Sequence, residues 1–289
     1  MNLPLFGAQA SGLFADHGLD VELVAPAPRP TAGRPAPTAG RPARPDFAVS
    51  AVQSSLIARA RRPEVAHPRF VAVVHQHSPL AAFVPLGSPL RRPSDLAGAR
   101  VAASTAPWFD HEFRAGLEAM GLGPPHVVPH REDGVARSLV DGEVDAVGSW
   151  EEAIAVIRRR AGTDVRAIPF GPRVYTTGVV AEDGVPAEVV TRMVSALRAA
   201  FEEQRSAPHV GLDALCRRFP GVDPGAALEE WGILVDYVFA GGRPLAMTAG
   251  RWARTIAHAA RTHGIVPPAV GRVCRTDALL ATSALPVGA

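Results

Sequence analysis

Two adjacent hydroxyls, Ser104 and Thr105, close an apolar run and stand just ahead of a helical pattern that begins near Trp108. Backbone N–H groups at a helix start, the helix dipole and a pair of hydroxyls together make a site for an anionic or polar head group. The same pair also reads as a plain N-cap that meets no ligand. His75-x-His77 supplies two imidazoles that could share a metal ion, and Asp110-His111-Glu112 offers further donors. One HxH without a third ligand at a recognisable spacing is a weak metal signal, so no metal site is expected. "HEF" at 111–113 is not HExxH, no G-x-S-x-G occurs, and no GxGxxG follows a strand pattern. Zinc-peptidase, α/β-hydrolase and dinucleotide readings therefore have no support. All 30 Lys+Arg positions are Arg, so no Lys Schiff base can form on this chain, and no cofactor is expected.

These residues need elements to position them. Short apolar runs at 20–24, 46–51, 69–74, 81–86, 99–104, 126–130, 144–149, 164–170 and 176–181 read as strands. Residues 108–121, 134–142 and 150–162 read as helices, each with Gly near its end as the expected C-cap. Strands alternating with amphipathic helices argue for an α/β architecture with largely parallel sheets. Residues 186–264 carry helical periodicity alone, in about four segments, which makes a helical tail that packs back onto an earlier lobe. In such sheets ligands sit beyond the carboxyl ends of the strands, so Ser50, Ala51 and Gln53 after one run, and Gln76, His77 and Ser78 after another, are expected to face a cleft. Each also reads as an ordinary loop residue in water.

At 289 residues and 47% hydrophobic, the chain suits two lobes or one large domain with a sizeable core. A net charge of +2 gives no electrostatic case for nucleic acid or acidic lipid as the main partner. Cys216 and Cys274 have no metal-ligand spacing and read as buried free thiols, although they could pair in an oxidising compartment. The acidic pairs at 151–152, 202–203 and 229–230 and the basic run 158–160 read as solvated helix faces. No apolar run approaches the ~20 residues of a membrane span. The N-terminal "MNLPLFGAQASGLFADHG" lacks the basic head and apolar middle of a secretory signal, so the sequence as written is expected to stay in the cytoplasm.

"SGLFADHGLDVELV", "DFAVSAVQSSLIARA", "SPLRRPSDLAGARVAAST" and "LVDGEVDAVGSWEEA", in this order, resemble the solute-binding proteins for sulfonates, taurine, nitrate and thiamine-pyrimidine precursors. The resemblance spans about residues 4 to 285, and its most specific parts are "SDLAGARVAAST" and "GEVDAVGSW". It implies a type II periplasmic-binding-protein fold, in which two α/β lobes joined by two crossovers close on a small ligand. Lobe I would be residues 1–83 plus 182–289, with a Pro-rich loop at 25–45, and lobe II residues 84–181. It also implies that Ser104 and Thr105 meet the ligand's head group, with Trp108 opening the helix behind them. Trp150 would either cover an apolar ligand face or anchor the core, and Tyr175 with Thr176 and Thr177 would lie at the second crossover, as ligand donors or as hinge packing.

Two functions follow from the resemblance. The chain is read first as the binding component of an ABC importer, with an ABC permease as partner and an anionic or heteroaromatic small molecule as ligand. The alternative is an enzyme recruited onto the same fold, as in desulfinases and pyrimidine-precursor synthases. The sulfinate-cleaving relatives use a Cys whose position would precede Met1 and an Arg where Asp46 stands here, and the pyrimidine synthases use a Lys that this chain lacks. An enzymatic role would then rest on His75, His77, Asp110 or His111. Relatives also carry a first strand ahead of the helix matching residues 4–18, and three residues are too few for a strand of about five. The expectation is that the true start lies upstream and adds that strand, with a signal peptide or lipid-anchored Cys that would make the protein extracytoplasmic. The tandem "PTAGRPAPTAGRPA" at 30–43 is rich in Pro, which forbids a helix, and reads as a duplication tolerated in a surface loop.

Overall fold

The computed structural model describes residues 2–24, 45–104, 107–118, 121, 126–130, 135–275 and 278; the tandem repeat lies outside them. The chain opens with α1 (Asn2–Ala10) and the single turn α2 (Leu13–Asp16), then runs β1 (Phe47–Ala51), α3 (Val52–Arg61) and β2 (Arg69–Val73). It crosses over into β3 (Leu80–Pro85), β4 (Arg100–Ser104), α4 (Pro107–Glu118), β5 (His126–His130), α5 (Val135–Val140), β6 (Ala146–Trp150), α6 (Ile154–Ala161) and β7 (Val165–Pro169). It then returns as β8 (Thr177–Ala181) and ends in helices: α7 (Ala187–Ser206), α8 (Pro208–Arg218), α9 (Pro224–Phe239), α10 (Ala249–His263) and α11 (Val270–Val273).

The strands form two sheets, ordered β1-β8-β2 and β5-β4-β6-β3-β7. The expectation of largely parallel sheets is corrected: β4 is parallel to β5 and β6, but β8 runs antiparallel to β1 and β2, and β3 to β6 and β7. β8 and β3 are the strands that arrive from the other lobe. They enter from the cleft end, against the direction of strands returned by a helix. β3 belongs wholly to the second sheet and β8 wholly to the first, with residue 83 inside β3 and residue 181 at the end of β8. The expected strand at 20–24 is also corrected, since residues 19–24 carry no regular structure. A strand needs a partner for its backbone groups, and β1 pairs with β8 alone among the described residues.

Burial separates the lobes. Leu56, Phe70, Val73, Leu197, Phe201, Trp231 and Trp252 belong to one core around the first sheet. The second sheet has helices on both faces, with Leu80, Val101, Phe113 and Leu117 in one cluster and Phe83, Ala102, Leu139 and Ile157 in another. The tail helices start where the sequence caps them. Asp223 Oδ1 accepts from the Ala226 amide at 3.1 Å with Pro224 at the first helical position, and Thr248 Oγ1 accepts from the Arg251 amide at 3.3 Å. Trp252 of α10 is fully buried against Phe70 and Tyr175, with ring centroids 5.0 and 5.2 Å away. Cys216 is half-buried and Cys274 buried, both as free thiols, and burial pushes the Cys274 thiol up to about 11.

Candidate functional site

The carboxyl ends of β1, β2 and β6 converge where the chain passes between the lobes. The two passages touch each other: the Ser78 amide donates to the Pro172 carbonyl at 3.0 Å, and a Cβ on Gly171 would collide with the Ser78 carbonyl. The Glu151 amide donates to Pro79 at 2.7 Å and the Val52 amide to Thr176 at 2.8 Å, so both sheets are tied to the same hinge.

His75 leaves β2 into this region and is 6% exposed. Its Nδ1 lies 3.4 Å from Thr176 Oγ1, while Nε2 is buried with no protein partner. Burial holds the imidazole down to about 3, so it is neutral across the working range of a protein. His77, two residues on, packs edge-on against the Tyr237 ring of α9 at 4.4 Å. Its Nδ1 is likewise buried without a partner, and burial and then the Arg251 and Arg173 charges lower its basicity. Tyr237 reaches across to the other lobe, donating its hydroxyl to the Glu151 carboxylate. Burial, and then that carboxylate, raise the phenol well above its ordinary range. Beside it Glu152 keeps a buried Oε2 without a partner, and burial, reinforced by the Glu230 and Glu151 charges, pushes its carboxyl up to about 7.

The sequence-derived candidates divide into three groups. Gln53 is buried with Nε2 on the Tyr175 carbonyl at 3.3 Å, and Ser50 Oγ lies 2.9 Å from Ser55 Oγ. Thr177 opens β8 opposite Ala51, and half-buried Trp150 ends β6 opposite Leu80 and packs on the second core. Gln76 and Tyr175 have their polar atoms engaged elsewhere. Gln76 Nε2 donates to the Val73 and Ala246 carbonyls at 3.2 and 2.9 Å, and Arg251 donates to its Oε1 at 2.7 Å and to its backbone carbonyl. The Tyr175 hydroxyl accepts from the Thr248 amide at 3.1 Å, and the Arg251 guanidinium covers its ring at 4.7 Å. These two are hinge braces. Ser104 ends β4 and Trp108 lies in α4, but their side chains, and Thr105 entirely, fall outside the described residues.

Sequence reasoning missed Tyr237, which sits mid-helix with no local signal, and placed Glu151 and Glu152 on a solvated face. They occupy a 3₁₀ turn between the lobes instead. In the basic run Arg159 and Arg160 are exposed, and the run also meets α9 or its cap: Arg158, half-buried, grips Glu229 through two bonds of 3.1 and 3.0 Å, and Arg159 meets Asp223 at 3.1 Å. Among the described residues no His, Cys, Asp and Glu group of three is arranged to hold a metal ion, and no helix is long and apolar enough to cross a membrane.

The sequence model of the NMT1/THI5-like family matches residues 2–209. Among proteins with curated descriptions, none matches the chain in sequence. Solved structures share the fold, among them the following three. A putative sulfonate ABC transporter periplasmic sulfonate-binding protein, SsuA, from Methylobacillus flagellatus is 17% identical over 82% of this chain and 74% of its own, with a TM-score of 0.59. The periplasmic aliphatic sulphonate-binding protein SsuA of Escherichia coli is 15% identical over 79% and 75%, with a TM-score of 0.60. The desulfurization enzyme DSZB is 17% identical over 97% and 95%, with a TM-score of 0.62.

Proposed function

The chain belongs to the NMT1/THI5-like family, and from that premise we propose that it is the solute-binding protein of an ABC-type importer, holding an anionic or heteroaromatic small molecule between its two lobes. The observation that carries this reading is the trio of buried polar atoms without protein partners, His75 Nε2, His77 Nδ1 and Glu152 Oε2, gathered around Tyr237 where the lobes meet. Buried polar atoms are normally paired, and a ligand that supplied the missing bonds would bind there with high specificity. Neutral His75 offers one N–H donor or one acceptor depending on its tautomer. The aromatic faces of Tyr237 and Trp150 suit a flat ligand. Ser50, Gln53, Thr177 and, from the sequence, Ser104, Thr105 and Trp108 complete the proposed ligand shell.

We divide the lobes at the passages 74–79 and 170–176, which puts β8 and the tail helices with the first sheet. An importer component works outside the cytoplasm and delivers its ligand to a permease, and both properties belong to this proposal. Thermal stabilisation by sulfonates, nitrate, pyrimidines or aromatic acids tests it: one class should raise the melting temperature while the others do not.

A second reading, an enzyme on the same fold, draws on the near full-length likeness to the desulfurization enzyme. Sulfite release from an aryl sulfinate would support it, and no turnover is expected.

A further inference from the structure

α10 touches both passages between the lobes and also α4 of the second lobe. Its start braces both passages. The Tyr175 amide donates to Thr255 Oγ1 at 3.1 Å, the Thr248 amide donates to the Tyr175 hydroxyl, and Arg251 holds Gln76. Trp252, Ile256 and Ala259 then fix the helix in the first core. Its last two turns reach the other lobe, where they meet Glu112 of α4, whose neighbours Phe113 and Leu117 lie in the second core.

Glu112 is 2% exposed, and each of its oxygens meets one imidazole: Oε2 lies 3.3 Å from His258 Nε2 and Oε1 lies 2.9 Å from His263 Nε2. We propose that Glu112, His258 and His263 form a protonation-controlled latch between the lobes, tightest when the carboxylate is ionised and the imidazoles are charged. A buried carboxylate must be neutralised or hydrogen-bonded, and both partners come from across the gap, so parting α10 from α4 strands it. With neutral imidazoles the latch consists of two N–H donors, and with charged ones it becomes a buried ion triad. Mild acid therefore strengthens it, and loss of the Glu112 charge releases it.

The groups around the triad act in both directions. Burial alone would raise the Glu112 carboxyl, but hydrogen bonds from His258 and then His263 outweigh it and keep the group below the ordinary carboxylate range, so it stays ionised in mild acid. Thr262 Oγ1 stands 3.5 Å from His258 Nε2, Arg261 is exposed on the same helix, and Arg114 follows on α4, where Asp110 and His111 precede Glu112. Asp46, Arg61, Arg62 and Glu182 line the groove beside His263, the two guanidinium groups opposing a charged imidazole there and the two carboxylates, with Glu112, favouring it.

Small-angle scattering of the whole chain, at constant ionic strength between about pH 8 and about pH 6, spans the range in which imidazoles change charge and tests the latch. The wild type should contract as the pH falls, whereas E112Q and the H258Q/H263Q double variant should be larger and lose the pH dependence. If the variants follow the wild-type curve, the latch is wrong. Should E112Q fail to fold, the double variant and the wild-type imidazole ¹⁵N shifts still decide. The Nε2–H tautomer is required at both histidines in the neutral form, and an Nδ1–H tautomer at either overturns the proposal.

Discussion

Tyr237 of α9 donates its hydroxyl to Glu151 of the other lobe, while its ring packs on His77 at 4.4 Å. One side chain thus links the tail helices, the end of β2 and the 3₁₀ turn after β6. Replacing it with Phe keeps the ring and frees the carboxylate. Y237F should lower unfolding stability by about 1.5–3 kcal/mol, the range for a hydrogen bond to a charged group, as measured by urea denaturation.

His75 gives a stability slope in acid. Its folded value near 3 lies below that of the unfolded chain, so the unfolded state binds the extra proton first. Stability should therefore fall as the pH drops from about 6.5 toward 3, and H75Q should flatten that part of the curve.

Glu152 acts with the opposite sign. Its carboxyl is raised from 4.5 to about 7 in the folded protein, so the folded state retains a proton that the unfolded state has lost. Stability from this group should decline as the pH rises from about 4.5 to about 7 and then level off, and E152Q should remove the decline. Denaturation midpoints of the two variants across pH separate the slopes.

Gly171 lies where the two passages meet, and any side chain there meets the Ser78 carbonyl. G171A should push the passages apart and lower the melting temperature. The same substitution at exposed Gly87, where a Cβ meets nothing within 4 Å, should have little effect on calorimetry.

Most elements were legible because the pattern of each is local. The run "RFVAVV" became β2, with Phe70–Val73 fully buried, and "WEEAIAVIRRRAG" became a 3₁₀ turn and α6 closed by Gly162 in the left-handed conformation. What the sequence hid depends on partners far along the chain. Residues 20–24 have strand composition, yet they find no ladder. Strand direction was misread because β3 and β8 look like any apolar run until the crossings are known. In the site, His75 and His77 were visible as a pair beyond a strand. Glu152 looked like surface charge because burial by α9, some 80 residues away, leaves no mark on its neighbours in sequence. Gln76 looked available because nothing local reveals the grip of Arg251, whereas Tyr175 takes the hinge-packing role that was one of its two expected ones.

Calorimetric titration of the whole chain with one sulfonate, nitrate, one pyrimidine and one aromatic acid, repeated on H77A, tests whether a small molecule is held between the lobes at His77. The wild type should bind one class saturably, and H77A should lose at least tenfold in affinity, equivalent to about 1.4 kcal/mol. Absence of binding in every class, or equal affinity in H77A, would contradict it.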